Sequence, residues 1–222
     1  MTVYQEKTTL SREHIRNTAL ELVRSEGIDF SMRTLAKQLN TSAMAMYRYY
    51  ESRDALIAVI VDHVIAEILE AGEQFLAEKS ASNWQRNLKD SSLHCFDILV
   101  QYPGVAARLV YGQNVSPTSL RMIEVNIQFL ERIGLSTQRA AAIFQTSFLF
   151  LAECANAEYA RFKGEASLPL FVDKAQEMIS NNARLQDYVM LLGSVSIRQR
   201  LEIGLDLFIT ALEAEITDPD PS

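Results

Sequence analysis

The 222-residue sequence has few of the residues that build cross-linked, metal-bound or membrane-embedded proteins. Its two cysteines, Cys95 and Cys154, are too few for a disulfide framework or a four-cysteine zinc site. The first residues carry neither an apolar signal core nor an arginine-rich transit pattern. The most apolar stretch, residues 140–157, is interrupted by Gln145 and Glu153, so we expect no membrane-spanning segment. These absences predict a soluble protein of a reducing compartment, the cytoplasm.

Signatures of catalysis and of metal binding are also missing. The eight glycines form no Gly-x-Gly-x-x-Gly motif, no phosphate loop and no Gly-x-Ser-x-Gly turn. The histidines His14, His63 and His94 show no His-x-x-His or His-Glu-x-x-His spacing, so no metal site is expected. Cys95 follows His94 directly, but neighbours on a helix point about 100° apart, which is poor geometry for a thiolate–imidazole pair. We therefore expect no enzymatic activity and no cofactor.

Charge is distributed unevenly along the chain. Lys and Arg total 21 against 28 Asp and Glu, and the net charge is −7. That total by itself argues against nonspecific binding to nucleic acids or acidic membranes. Residues 1–55, however, hold eight basic and seven acidic residues, a net charge of +1, and residues 30–53 hold four basic residues and one acidic residue, a net charge of +3. The acidic total therefore hides a small basic segment.

Apolar residues recur at helical spacing nearly throughout, and no strand pattern competes, so the predicted fold class is all-α. Ser11 can cap a first helix, and Gly27 can end it. A second, short helix is predicted from Ser31 to Leu39, after which Asn40 can take the left-handed conformation that ends a helix. A third short helix is expected from residue 41 or 42 to about residue 49.

A long fourth helix follows, capped by Ser52, and further helices are predicted after it. Their expected bounds are Ser82–Gln101, Val105–Tyr111, Pro117–Ile133, Thr137–Phe162, Leu168–Ser180 and Ile197–Ile216. Ser116 and Pro117 form a cap followed by proline at the first helical position. The last residues, 218–222, are expected to fray.

The most informative region runs from Leu10 to Leu56. A longer helix followed by two short helices with a tight turn between them describes a helix-turn-helix unit. Small or polar residues at 41–43 and 45 open the third helix, so its start can approach the base edges of a DNA groove closely. Tyrosine hydroxyls and a guanidinium follow at residues 47–49, where they can meet phosphates.

This region resembles the DNA-binding domain of TetR-family transcriptional regulators. The resemblance rests on residues 15–23 (IRNTALELV), Gly27, residues 32–36 (MRTLA) and residues 44–56 (MAMYRYYESRDAL). Asn40 stands where the family usually has glycine, and Arg53 where it usually has lysine. More loosely, residues 194–213 resemble the closing helix of many such regulators.

The resemblance implies DNA contacts at the start of the second helix, along the third helix, and at the start of the fourth. The implied contact residues are Ser31, Met32, Arg33, Ser42, Ala43, Met44, Ala45, Tyr47, Arg48, Tyr49 and Arg53. Residues 43–45 would face the major groove, and the two tyrosines and Arg53 the phosphates. Met44 can touch a thymine methyl but cannot form paired hydrogen bonds. Hydrogen-bonding specificity is therefore expected from Arg33, Ser42 or Arg48, or from DNA shape.

The resemblance also implies a division into a DNA-binding domain (1–55), a helical effector-binding and dimerisation domain (56–217) and a tail (218–222). Candidate residues for a largely apolar effector pocket are His63, Trp84, His94, Phe96, Tyr102, Arg108, Tyr111, Phe144 and Phe148. Aromatic residues at helical spacing are more often core than pocket, so both interpretations stay open for each candidate.

The implied function is a ligand-responsive transcriptional regulator, with a dimeric repressor on a palindromic operator as the expected form. One short recognition helix reads few bases, and a two-fold dimer doubles the number read. Helices near 137–162 and 197–216 are the expected dimer helices. Two alternatives stay open. One is a helical protein that binds or converts a small molecule without a DNA-binding role. The other is a regulator that activates, or acts through a protein partner, without a small ligand.

Overall fold

The structure is a computed structural model that describes residues 10–76, 83–111, 115–165, 172–175, 178–179 and 182–217. Over these residues the chain is helical without strands, which confirms the all-α fold class. The helices are α1 (Arg12–Glu26), α2 (Met32–Gln38), α3 (Ala43–Met46), α4 (Arg53–Leu76), α5 (Trp84–Gln101), α6 (Val105–Tyr111), α7 (Pro117–Arg132), α8 (Thr137–Phe162), α9 (Ala183–Ser194) and α10 (Ile197–Thr217). We call α1–α3 the head and α5–α10 the body, with α4 shared between them.

Serine side chains begin several helices, as the sequence predicts. The Ser11 hydroxyl accepts a hydrogen bond from the backbone N–H of His14 at 3.0 Å. At the start of α7, Ser116 and Ser119 form a reciprocal capping box, and Pro117 follows Ser116. Each cap satisfies a backbone N–H that has no partner inside the helix, which is typically worth about 1 kcal/mol.

Two predictions about the helices are wrong. The third helix ends at Met46, and residues 47–49 form a turn instead of continuing it. The sequence prediction also missed α9, although Asn182 caps it by accepting the N–H of Leu185 at 3.1 Å. Leu185, Tyr188, Val189 and Leu192 recur at helical spacing in this helix, although only Val189 is buried. The predicted helix 168–180 lies largely outside the described residues, as does the tail.

Within the described ranges, most buried side chains belong to one of two clusters. The larger one joins the head to the body, and its fully buried members include Ile15 of α1, Leu56 of α4 and Tyr102 at the end of α5. The smaller one brings α7 against α8 and α10 around Phe129 and Ile209. Because the larger cluster is continuous, the head is packed onto the body. The division at residue 55 stays a prediction.

The helix α8 is long and apolar enough, by length and composition alone, to cross a membrane. This differs from the expectation that Gln145 and Glu153 interrupt the apolar stretch too strongly. In the fold, α8 packs against α5, α6, α7 and α10, and Leu151 and Ala152 are buried there. Since 22% of the most apolar window is buried and Leu149 is 44% exposed, part of the apolar surface of α8 is left uncovered by the described chain.

Candidate nucleic-acid interface and interior cavity

The turn between α2 and α3 has the hydrogen bonds of a Schellman motif. The N–H of Thr41 donates to the carbonyl of Ala36 at 3.0 Å, and the N–H of Asn40 donates to that of Lys37 at 3.2 Å. Asn40 has a φ of +49°, a conformation that asparagine tolerates better than most residues. The prediction that Asn40 ends α2 in the left-handed conformation is confirmed.

The short helix α3 presents a small exposed face. Met46 on its inner side is fully buried, whereas Met44 is 75% exposed and Tyr47 is 44% exposed. The half-buried Ala43 and Ala45 lie beside Met44. Since their side chains are small, the start of α3 can approach another surface closely.

Serine hydroxyls begin both short helices of the head. Ser31 accepts the N–H of Thr34 at 3.0 Å, and Ser42 accepts the N–H of Ala45 at 3.2 Å. A serine hydroxyl that accepts in this way keeps its own O–H as a donor. Ser42 is exposed, so it can cap α3 and still donate to an external group.

Three cations of the head have no neutralising carboxylate among the described residues, unlike Arg16, which pairs with Glu13. Arg33, Lys37 and Arg48 are exposed, and none of them forms an ion pair within the part of the chain that the structure describes. Exposed cations without an internal partner can approach phosphates, which are the main anchors of a protein on DNA. Contact of Arg33 and Arg48 with DNA stays a prediction.

Two implied contact residues are directed into the protein. Met32 is only 6% exposed and belongs to the larger buried cluster, so its assignment as a DNA contact is corrected to a core residue. The hydroxyl of Tyr49 donates to the backbone carbonyl of Leu10 at 2.8 Å. Because a phosphate oxygen needs a donor, Tyr49 is less suited to that role than the exposed Tyr47.

Arg53 at the start of α4 is also engaged internally. Its Nε donates to the carbonyl of Phe30 at 2.8 Å, and its Nη2 donates to the carbonyl of Ile28 at 2.7 Å. The guanidinium also lies over the ring of Phe30, 5.7 Å from its centroid. Two of its five N–H donors bind the segment between α1 and α2, so Arg53 holds the head on α4. This internal role is an alternative to the implied phosphate contact.

A cavity of about 80 Å³ lies in the body between α4, α5, α7, α8 and α10. Its walls are mainly aliphatic and aromatic, with the hydroxyls of Ser91 and Ser92 and the amide of Asn126 among them. The one charged group among the described lining residues is Glu73, which forms an ion pair with Arg121 at 3.3 Å. The cavity is therefore an apolar space with a few hydrogen-bonding groups.

Two of the nine predicted pocket residues line this cavity. Phe144 and Phe148 of α8 do so, and their rings stack with centroids 6.0 Å apart. The other seven do not line it: Trp84, Phe96 and Tyr102 are buried in the core, His94 and Tyr111 are exposed, and His63 and Arg108 are half-buried. Sequence reasoning missed the lining residues of α7 and α10, because core and cavity walls share one apolar pattern.

Tyr102 shows why an aromatic candidate can be core instead. It is fully buried, and its hydroxyl donates to Glu67 of α4 at 2.7 Å while accepting a hydrogen bond from Arg24 of α1. Burial and the bond to Glu67 raise the pKa of Tyr102 to about 12. The neutral phenol therefore joins α1, α4 and the end of α5.

Comparison with known proteins identifies the N-terminal segment. Residues 15–60, which cover most of α1 and the first part of α4, match the family model described as bacterial regulatory proteins, tetR family. The uncharacterized HTH-type transcriptional regulator YvaF of Bacillus subtilis (strain 168) is 34% identical over 68 residues. That match spans 31% of this chain and 35% of the relative.

Solved structures share the fold over nearly the whole chain. A possible TetR family transcriptional regulator of Streptomyces coelicolor A3(2) is 22% identical, with a TM-score of 0.78, and 92% of this chain and 99% of that one are covered. ActR of Streptomyces coelicolor in complex with actinorhodin is 23% identical, with a TM-score of 0.73, and the match covers 95% of this chain and 100% of ActR. A TetR variant of Acinetobacter baumannii AYE in complex with minocycline is 20% identical, with a TM-score of 0.70, and the match covers 96% of this chain and 98% of that one.

At such identities the likeness establishes the fold, and the family-model match provides the sequence evidence in the head. Residues 15–60 are therefore similar in sequence to the tetR family of bacterial regulatory proteins, and the chain as a whole has the fold of solved TetR-family regulators.

Proposed function

We propose that the protein is a dimeric, ligand-responsive transcriptional regulator of the cytoplasm, which binds a two-fold symmetric DNA operator and is released from it by a small apolar molecule. The observation that carries this proposal is the course of α4. The helix begins at Arg53, which is bonded to the head. Further along, its residues Ile68, Leu69 and Gly72 line the cavity. One helix therefore joins the DNA-facing unit to the site where a ligand fits.

The DNA contacts that the geometry supports best are those of exposed side chains that have no partner among the described residues. Arg33 and Arg48 carry uncompensated charge, and Tyr47 and Met44 project from α3. Each phosphate that a cation neutralises makes binding more sensitive to salt. Because one α3 can read few base pairs, two heads are needed for a specific site.

The dimer surface that we propose lies on α8 and α10. Leu149 is 44% exposed, Ile203 is 56% exposed and Leu207 is 68% exposed. Apolar side chains left in water on two long helices that pack together indicate an interface with a second copy. A second copy bound at this surface would also cover the exposed Leu149 of α8.

The effector that fits the cavity is neutral and largely apolar. A charged molecule would lose its hydration and find only Glu73, whose carboxylate is already paired with Arg121. The amide nitrogen of Asn126 donates to the carbonyl of Met122 at 2.8 Å, which leaves the amide oxygen of Asn126 able to accept a ligand hydroxyl. A neutral molecule with one or two hydrogen-bonding groups is the class that we propose.

The size of the cavity connects binding to movement. At about 80 Å³, it is smaller than the roughly 300 Å³ or more that ligand sites usually provide. An effector must therefore displace the walls, and α4 is one of them. Changing the balance between two conformations from 1:99 to 99:1 takes a difference in effector affinity of about 10⁴-fold.

DNA binding is tested by electrophoretic mobility shift with the promoter DNA beside the protein's own gene, and with an operator selected from a randomised duplex library. We expect tight, salt-sensitive binding that the double substitution Arg33→Ala and Tyr47→Ala abolishes. Arg86→Ala on α5 is the matched control, because its side chain is 84% exposed and lies in the body. Absence of any salt-sensitive DNA binding by the unaltered protein would contradict the proposal and favour a ligand-binding protein without a DNA role.

The cavity is tested with N-phenyl-1-naphthylamine, a neutral apolar dye whose fluorescence rises in apolar surroundings. A β-carbon on Gly72 would lie 3.6 Å from the hydroxyl of Ser91, so Gly72→Leu is tolerated at its first atom and extends into the cavity. We expect saturable dye binding that Gly72→Leu weakens by about tenfold or more, whereas Gln101→Leu on the exposed surface of α5 does not. Neutral compounds that displace the dye should also lower operator affinity. If they leave it unchanged, the coupling is wrong.

A further inference from the structure

Tyr159, near the C-terminal end of α8, lies in a narrow space between the head and the body. A β-carbon on Gly27, at the end of α1, would lie 2.8 Å from the Tyr159 ring. A β-carbon on Gly104, between α5 and α6, would also lie 2.8 Å from that ring. The two glycines have φ values of +86° and +89°. The ring therefore occupies a space that exists because both flanking residues lack a side chain.

The hydroxyl of Tyr159 adds a polar contact to the head. It donates to the carboxylate of Asp29 at 2.7 Å, and Nζ of Lys163 lies 3.4 Å from the same oxygen. The bond from Tyr159 holds the pKa of Asp29 below its ordinary value. Beside it, the N–H of Ile28 donates to the carbonyl of Pro103 at 2.9 Å. Residues 27–29 are thus attached both to α8 and to the turn before α6.

The helix that carries Tyr159 also lines the cavity. Phe144, Phe148 and Leu151 of α8 are lining residues, and Tyr159 lies about 16 Å beyond Phe148 at 1.5 Å per residue. A displacement of α8 by a ligand is therefore transmitted along a continuous helix to the attachment of residues 27–29. This connection runs through α8 instead of α4, and it meets the same loop that Arg53 of α4 binds at Ile28 and Phe30.

We propose that Tyr159 is a positioning residue for operator binding. Its ring and hydroxyl hold residues 27–29 against the body, so the head is attached through α8 as well as through α4 and the end of α5. Together these attachments determine the orientation of each head, and hence the separation of the two α3 helices in the dimer. The effector acts on this orientation through α8 as well as through α4. This inference rests on the proposed DNA-binding function.

The test uses two glycines that both have a positive φ but lie in different surroundings. Gly104→Ala places a β-carbon 2.8 Å from Tyr159 and 2.7 Å from Ile28, so it pushes residues 27–29 away from the body. Gly164→Ala is the matched control, because Gly164 also has a positive φ, +72°, but a β-carbon there meets nothing within 4 Å. Tyr159→Phe keeps the ring and removes only the bond to Asp29.

Affinity is measured by fluorescence anisotropy for the selected operator with both half-sites and for a duplex with a single half-site. We expect Gly104→Ala to weaken binding to the full operator by about tenfold or more, while binding to the half-site changes by less than about twofold. Gly164→Ala should leave both affinities within about twofold of the unaltered protein. Tyr159→Phe should weaken full-operator binding in the same selective way but by less.

An equal loss of full-site and half-site binding in Gly104→Ala would mean that the head itself is damaged, and it would overturn the positioning role. Unchanged binding to both duplexes would overturn it as well. If Gly104→Ala does not fold, the test rests on Tyr159→Phe. Equal loss of full-site and half-site binding in that variant, or no loss of either, would likewise overturn the positioning role. Failure of the unaltered protein to bind either duplex would contradict the proposed function instead.

Discussion

Replacing Arg53 by alanine is expected to destabilise the protein without removing a phosphate contact. The side chain donates two hydrogen bonds, at 2.7 and 2.8 Å, to the carbonyls of Ile28 and Phe30. Hydrogen bonds from charged donors are worth about 1.5–3 kcal/mol each. The side chain is 28% exposed, so water replaces part of this, and we expect the free energy of unfolding to fall by about 2–3 kcal/mol in total. In a chain of this size that corresponds to about 5–10 °C in Tm.

Two measurements separate this role from DNA contact. Urea unfolding monitored by circular dichroism reports the stability, and operator affinity as a function of KCl concentration reports the number of phosphates that the protein neutralises. A substitution that frees one phosphate reduces the slope of log affinity against log salt by about 0.9, hence by about 2 for a residue present in both subunits. We expect no change of slope for Arg53→Ala. Arg53→Lys should recover less than half of the stability, because an ammonium group does not reproduce the guanidinium fork.

Arg33→Ala is the control, since Arg33 is exposed and has no ion pair in the described chain. It should leave the urea midpoint unchanged and reduce the salt slope by about 2. The opposite pattern for Arg53→Ala, an unchanged midpoint with a slope reduced by about 2, would refute the structural role and restore Arg53 as a phosphate contact.

Three further predictions concern the body and its junction with the head. Burial and the nearby charge of Arg16 lower the pKa of His63 below 6.5, so the unfolded chain takes up a proton at higher pH than the folded one, and stability is lost as the pH falls below 6.5. His63→Gln should therefore lose less Tm than the unaltered protein between about pH 7.5 and 5.5 in differential scanning fluorimetry, and an equal loss would contradict this. Leu207→Glu should convert the dimer to monomers in analytical ultracentrifugation and abolish full-operator binding, whereas an unchanged sedimentation coefficient would exclude α10 from the interface. Leu151→Ala should lower the free energy of unfolding by about 2–5 kcal/mol, because it removes a buried side chain, 5% exposed, beside the cavity. A urea midpoint close to that of the unaltered protein would contradict this and would mean that the cavity walls close over the vacated space.

Much of the fold was predictable because its determinants are close together in the sequence. Ser11 caps α1 through a bond to a residue three positions away, and Asn40 closes its turn with bonds that span no more than five residues. Apolar periodicity predicted α8 with the bounds that the structure has. The prediction missed α9, although apolar residues recur at helical spacing in it as well.

The destinations of individual side chains were decided only by the tertiary structure. Arg53 binds carbonyls 23 and 25 positions away in the chain, and Tyr159 binds Asp29 across 130 positions. The residues that surround the cavity come from five helices, and their apolar pattern is the same whether a neighbour fills the space or leaves it open. The sequence alone therefore determined most of the helices, their caps and the resemblance of residues 15–60 to the tetR family. Which cations remain free for DNA, which aromatic rings line the cavity and how the head is attached to the body depend on contacts between distant residues, and no local pattern encodes those.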